Sequence, residues 1–300
     1  MTAFPHHPGA LHFITFLSDF GYEAESVAIC KGVLKRLAPQ AEVLDVCHGI
    51  PSFDVQAGAL ALENAVPYLP KAVHLAVVDP GVGGPRRAVA LQVQRGDYLV
   101  GPDNGLLAPA AAALGGVVRA CRLENPALQL QPLSATFHGR DIFAPAAAFL
   151  ASGGNMAELG GEVSPADLAG PLWPPPQAGP GWVRGTLIGF DQFGSARLNI
   201  RPQELQRAGV LKGAAFPGPV RKGPLIRIRG PLDAVVPFVY TYSQVPAGSL
   251  CLLTDSDGRL SLAVNQGSAR RAFGLARGRS IILEAVQEQP SGSGGPHDRS

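Results

Sequence analysis

Charge is scarce in this 300-residue sequence: Asp, Glu, Lys and Arg make up only 16% of it, and the formal net charge is +2. That argues against a nucleic-acid partner, because binding phosphates calls for Lys and Arg clustered on one element. The nearest approach is Arg221, Lys222, Arg227 and Arg229. It is interrupted by Pro224 and reads as the solvated edge of a β domain. Long apolar runs are lacking as well. A membrane helix needs about 18 apolar residues in a row, and the alanine-rich Leu106–Leu114 is far shorter. The start, MTAFPHHPGALHF, has neither the basic head nor the apolar run of a secretory leader, so a soluble cytoplasmic protein with no membrane partner is expected. Only four cysteines occur, Cys30, Cys47, Cys121 and Cys251, and no CxxC pair. This favours buried thiols in a reducing compartment over a disulfide framework.

Metal-ligand spacing is missing too. His6 and His7 stand at the terminus without a nearby carboxylate, and His138 and Asp141 lack a second pair to complete a tetrahedral set. The glycines of DPGVGG (79–84) match neither GxGxxG nor a P-loop. No metal, dinucleotide or nucleoside triphosphate is expected.

What is present is a 46% hydrophobic chain whose halves differ in pattern. HFITFLS (12–18), EVLDVC (42–47), AVHLAVVD (72–79), AVALQVQ (88–94) and DYLVGP (97–102) are short, apolar and rich in β-branched residues. Between and after them, SVAICKGVLKRL (26–37), VQAGALALENAVPYL (55–69), LLAPAAAAL (106–114) and DIFAPAAAFLASG (141–153) carry helical spacing or alanine and leucine. This alternation predicts an α/β domain over residues 1–163 with a largely parallel sheet and flanking helices. Residues 164–181 hold six prolines and read as a linker. From 182 to 286 only strand-like segments follow: WVRGTLIGFD, ARLNIR, PLIRIRG, FVYTYSQV, SLCLLTDSDGRLSLAVN and RSIILEAVQ. They predict a smaller all-β barrel or sandwich, with Asp257-Gly258 supplying a positive-φ hairpin turn. Residues 287–300, polar and rich in Gly and Ser, are expected to be a disordered tail.

Ligands of open α/β sheets sit beyond the carboxyl ends of the strands. Four segments place polar residues there: Ser18-Asp19-Phe20-Gly21, Asp79-Pro80-Gly81-Val82-Gly83, Gly101-Pro102-Asp103-Asn104-Gly105 and Phe137-His138-Gly139-Arg140-Asp141. Each alone has a bland reading. Asp19 caps a helix, Asp79 closes a Pro-Gly turn, Asn104 is a left-handed turn residue, and His138 is a satisfied core histidine. Four such sites in one half of a chain, all after strands, weigh against four coincidences.

The segments SDFGYEAESVAICKG, VLDVCHGIPSFDVQAGA, VVDPGVGGPRRAVAL, GPDNGLL, TFHGRDIFAPAAA, FDQFGSARLNI and DGRLSLAVNQGSA follow one another in this order. Together they resemble the S-adenosyl-L-methionine hydroxide adenosyltransferases, relatives of fluorinases and chlorinases, over roughly residues 13 to 285. The resemblance implies an α/β domain followed by a small β-barrel and a homotrimer with sites between subunits. It implies hydrolysis of S-adenosyl-L-methionine to adenosine and L-methionine, with no cofactor. It also implies that Asp79, Arg86 and His138 are the catalytic set. Halogenases of the family lack the Asp of DPGVG and the His of FHG, so their activity is the lesser alternative. Another alternative is a catalytically weak nucleoside-binding protein.

For substrate binding the resemblance implies Asp19 on the ribose diol and Phe53 beside it, with Asn104 lining the cavity. Ser26, Asp191 and Ser256 fall on the amino-acid part, Phe193 and Ser195 near adenine, and Asn265 in the last of the shared motifs. Two departures stand out. Ser195 replaces the usual Asn of FGN, removing an amide, and Ala24 replaces an acidic residue, with Glu23 and Glu25 on either side.

The chemistry suits these residues. Methionine leaves C5′ as a neutral thioether, so no general acid is required. The need is for a nucleophile that is held in line and partly desolvated. Asp79 and His138 can accept from, and orient, a water, and Arg86 can hold the carboxylate or stabilise developing hydroxide; which group takes the proton is not decided by the sequence.

Overall fold

The structure, a computed structural model, describes residues 1–7, 9–211 and 223–286. Arg221, Lys222 and the expected tail at 287–300 lie outside the described residues. The chain divides into two compact units, one from Met1 to Leu172 and one from Trp173 onward. The proline-rich stretch thus contributes to both.

The first unit contains strands β1 (Phe13–Ser18), β2 (Glu42–Cys47), β3 (Ala72–Val77), β4 (Ala88–Val93), β5 (Tyr98–Pro102), β6 (Val117–Arg122) and β7 (Glu162–Val163). Its helices are α1 (Ser26–Leu37), α2 (Val55–Ala65), α3 (Ala108–Ala113) and α4 (Ala144–Ala151). The strands form one sheet in the order β2-β1-β3-β5-β4-β6-β7. β1 pairs in parallel with β2 and β3, and β3 with β5. β4 runs antiparallel between β5 and β6, and β7 antiparallel to β6. All but β4 and β7 therefore run the same way. β3 is buried at every position, as befits a central strand covered on both faces. Helices α1 and α4 pack on one face, with Val27, Cys30, Leu34 and Leu37 on the inner stripe of α1. Helices α2 and α3 cover the other face.

Three cysteines are buried and Cys47 is half-buried; none is in a disulfide. Burial pushes the Cys30 thiol up to about 12 and those of Cys121 and Cys251 to about 11, so these three stay protonated and inert.

Two features of this unit depart from the sequence reading. Strands β6 and β7 were not anticipated, because β6 is half-exposed without strict alternation and β7 is only two residues long. The helix expected over 141–153 begins instead as a π-helical turn, Gly139–Phe143, and becomes α-helical at Ala144. Pro145 has no N–H to give to the Asp141 carbonyl, and the N–H of Leu130 takes that acceptor at 2.9 Å.

The second unit comprises β8 (Gln177–Gly179), β9 (Trp182–Phe190), β10 (Ala196–Leu198), β11 (Leu225–Arg229), β12 (Ala234–Val239), β13 (Leu250–Thr254), β14 (Leu260–Val264) and β15 (Ser280–Ala285). The order β10-β14-β13-β12-β11-β15-β9 closes through a β9–β10 pairing into a barrel, with β8 added at β9. All pairs are antiparallel except β12–β13. The core inside holds Leu187, Leu198, Ile226, Phe238, Leu252 and Leu283. The basic edge on β11 is ion-paired as well as solvated, Arg227 with Asp233 and Arg229 with Glu284.

The expected β-barrel is found, and among the described residues it also carries two short helices that the sequence pattern did not mark, α5 (Pro202–Arg207) and α6 (Ala269–Ala272). In α5, Pro202 sits in the first turn and the Glu204 carboxylate accepts from the Arg201 N–H at 2.6 Å; the Ser268 hydroxyl accepts from the Arg271 N–H at the start of α6. FVYTYSQV is not a continuous strand either. β12 ends at Val239, and Tyr242–Gln244 forms a 3₁₀ turn because the Gln244 side chain accepts from the N–H groups of Tyr240 and Thr241. In the β13–β14 hairpin, Gly258 has φ 74° and the Asp255 carboxylate accepts from the N–H groups of Asp257 and Arg259.

Candidate functional site

In the first unit the polar segments gather at the carboxyl ends of β1, β3 and β5. Ser18 ends β1 beside Val77 of β3, so Asp19 and Asp79 leave adjacent strands. The Asp19 N–H donates to the Val77 carbonyl, and its Oδ2 accepts from the Phe53 N–H at 2.8 Å. Asp19 caps no helix: α1 begins after Glu25, without a side-chain cap. Phe53 is a non-glycine residue at φ 66° and is 72% exposed. Ser26 opens α1. Asn104 follows β5, and its side chain serves the turn there. Its Nδ2 donates to the Val78 carbonyl and its Oδ1 accepts from the Leu106 N–H.

Asp79, Arg86 and His138 form one connected group. Arg86 Nε lies 2.9 and 3.0 Å from the two Asp79 oxygens, and its Nη2 lies 2.5 Å from Oδ2. The same Nη2 is 2.8 Å from His138 Nδ1. Arg86 also stacks over the Phe143 ring. The turn between Asp79 and Arg86 needs its glycines. Gly83 has φ 74°, and any Cβ there would run into the Ala135 carbonyl, so the DPGVGG turn and the segment leading to His138 pack backbone to backbone. Phe20, beside Asp19, meets Phe137 edge-on at 5.9 Å and packs against Gly139.

The electrostatics fix a tautomer. Arg86 can only donate, so His138 Nδ1 accepts and the ring carries its proton on Nε2. Burial holds the His138 pKa below its ordinary 6.5, and the Arg86 charge adds to the effect. Asp79 is 5% exposed and Arg86 11% exposed. The group is thus a buried, charge-neutral ion pair with a neutral imidazole, and it leaves one N–H and the remaining carboxylate lone pairs to act on a small molecule.

In the second unit, Asp191, Phe193, Ser195, Ser256 and Asn265 all line one cleft of about 940 Å³. Its size suits a nucleoside-sized ligand. The Asp191 carboxylate accepts from the N–H groups of Phe193 and Ser195 at 2.9 and 2.8 Å, shaping the loop between β9 and β10. Asn265 donates to the Val245 carbonyl. Phe193 is exposed and Ser195 buried. The cleft also includes Tyr240, Tyr242, Asp255 and Arg271, none of which the sequence had marked. The alternating YTY at 240–242 read as a strand, and only the 3₁₀ turn after it presents both tyrosines to one cleft. Burial raises the Asp255 carboxyl above the usual range. Its Oδ2 has Arg197 Nε as an ion-pair partner at 3.5 Å, while Thr254 Oγ1 has no hydrogen-bond partner among the described residues, a rarity for buried polar atoms.

Among the described residues no three His, Cys, Asp or Glu side chains gather in a metal-binding group, and no helix is long and apolar enough to cross a membrane.

Comparison with known proteins gives two family matches, the SAM hydroxide adenosyltransferase N-terminal domain over residues 14–160 and the C-terminal domain over 185–282. An "(R)-S-adenosyl-L-methionine hydrolase" from Salinispora tropica is 43% identical over 273 residues, covering 91% of this chain and 98% of that protein. A more distant relative, a fluorinase from Nocardia brasiliensis, is 25% identical, covering 92% of this chain and 98% of that protein. The solved structure of an uncharacterized conserved protein from Thermotoga maritima superposes with a TM-score of 0.80 at 31% identity, covering 90% of this chain and 99% of the other.

Proposed function

The chain belongs to the SAM hydroxide adenosyltransferase family, and on that premise we propose that it hydrolyses S-adenosyl-L-methionine to adenosine and L-methionine. The observation that carries this reading is the Asp79–Arg86–His138 group, in which Arg86 bonds both to the buried Asp79 carboxylate and to the half-buried His138 ring. A water held by the Nε2–H of His138 and by a free lone pair of Asp79 gives up its proton toward Asp79 as it attacks C5′. Arg86 offsets the negative charge that develops, and the pair needs no reorganisation to do so. Asp19 accepts from the ribose hydroxyls, while the Asp191, Phe193, Ser195 and Ser256 cleft takes adenine and the amino-acid part. The name of the Salinispora relative specifies the R configuration at sulfur, and the proposal extends to that epimer.

The test is incubation of the protein with each sulfonium epimer, with excess EDTA, and with or without chloride or fluoride. Adenosine and methionine are expected in equal amounts from the R epimer, unchanged by chelator or halide. The departing thioether leaves no oxyanion for a metal to stabilise, so activity that disappears with EDTA and returns with one divalent ion overturns the metal-free reading. A 5′-halo product would make the chain a halogenase.

The pH profile follows from His138. The working form is the neutral ring, and its pKa in the fold lies below 6.5. As pH falls through 6.5 the folded enzyme therefore stays neutral at this residue, and protonation comes only at lower pH. The acid limb of kcat is expected below 6.5, and residual activity of His138→Asn should lack it. A limb centred above 6.5 contradicts this.

We place the protein in the cytoplasm as a homotrimer whose sites are completed between subunits. Supporting this are the two half-sets of residues, one on each unit, and the exposed Phe53 and Phe193. Mixing an Asp79→Ala chain with an Asp191→Ala/Phe193→Ala chain is expected to restore part of the activity, because some interfaces then combine two intact halves. Mixed trimers that form and remain dead place the whole site in one chain.

A further inference from the structure

A second histidine, His48, lies outside the catalytic group and is fully buried. Its Nδ1 is 2.7 Å from Ser18 Oγ, and its Nε2 is 3.3 Å from Asp45 Oδ1. Lys31 of α1 holds the other oxygen of Asp45 at 2.9 Å. The directions of these bonds are determined. Asp45 only accepts, so Nε2 carries the ring proton. Burial keeps the ring neutral, so Nδ1 accepts and the Ser18 hydroxyl donates to it. Ser18 Oγ in turn accepts from the Phe20 N–H at 3.3 Å. The His48 carbonyl accepts from the Gly21 N–H at 2.9 Å, and the Tyr22 ring meets the imidazole edge-on. Ser18, Gly21 and Tyr22 are thus tied directly to His48, and Phe20 is tied to it through Ser18. Asp19 itself takes the Phe53 N–H, from the loop that begins at His48.

We propose that His48, working through Ser18 and anchored by Asp45, is a positioning residue that fixes the direction in which Asp19 presents its carboxylate to the ribose diol. This rests on the assignment of Asp19 to the ribose under the proposed function. The Asp45–His48–Ser18 chain does not touch the reacting atoms. It gives the loop between β1 and α1 one hydrogen-bonded arrangement, and a carboxylate held in one direction discriminates for a hydroxyl far better than one that wanders.

The readout is the preference, in kcat/KM, for S-adenosyl-L-methionine over its 2′-deoxy analogue. Asp19→Ala is expected to erase it. Ser18→Ala and His48→Gln, whose amide reaches toward Asp45 but leaves the Nδ1 position empty, are expected to cut it about tenfold with kcat at saturation changed by less than about twofold. His48→Asn, whose amide oxygen occupies the Nδ1 position, is expected to keep most of it. Adding Ser18→Ala to Asp19→Ala should change nothing more. If Asp19→Ala itself keeps the preference, the ribose assignment is wrong. If Asp19→Ala loses it while Ser18→Ala and His48→Gln retain it in full and differ only in melting temperature, the relay is overturned. His48→Asn falling as far as His48→Gln overturns it as well.

Discussion

Replacing His138 with alanine is expected to lower turnover by about 10²–10⁴-fold while substrate affinity stays within about threefold. The imidazole contacts Arg86 through Nδ1, so the atom it has to offer is the Nε2–H, a donor suited to fixing a water rather than the adenosyl group. Its removal leaves the Asp79–Arg86 pair intact, since that pair is closed by three hydrogen bonds of its own. Single-turnover measurements at saturating substrate, with equilibrium binding alongside, separate the two effects. A variant that binds weakly and turns over at the normal rate when saturated removes His138 from the water site. Asp79→Ala should lose turnover to a similar extent, and it should lose stability as well.

Arg86→Leu is expected to abolish turnover and to destabilise the protein by about 3–5 kcal/mol, the usual cost of stranding one member of a buried ion pair. The premise is burial. Asp79 is 5% exposed and Arg86 11% exposed, so the little water that reaches the site does not replace the charge of the guanidinium. The double variant Asp79→Asn/Arg86→Leu removes both charges together. It should regain most of the lost stability and none of the activity. Chemical denaturation of the four proteins forms a double-mutant cycle that measures the coupling. An Arg86→Leu protein as stable as the parent would show that the pair is better solvated than its geometry indicates. A double variant that hydrolyses substrate would remove both residues from the mechanism.

The halves of the chain were legible to different degrees. In the first, β1 and β3 read directly, because central strands of a covered sheet are short apolar runs. β6 did not, because its partly exposed face leaves no strict period. In the second, the barrel strands showed through their Gly, Pro and Asp punctuation, but α5 and α6 were invisible. A helix of six or four residues has too few turns to display a period, and it exists here because Glu204 and Ser268 supply caps.

By itself the sequence determined the fold class, with its α/β half and β half, and the strand-end motifs, which follow from local pattern and from residue types at fixed spacing; the family followed from the resemblance those motifs carry. Only the tertiary structure decided that Arg86 stands between Asp79 and His138, which sets the His138 tautomer, and that His48 reaches Ser18 from thirty residues away. It also decided that Tyr240, Tyr242 and Asp255 share a cleft with Asp191. A hydrogen bond depends on separations of a few tenths of an ångström, between residues that the chain sets dozens of positions apart. Those separations are fixed only when strands pair and helices pack, so the partner of a histidine cannot be read along the chain.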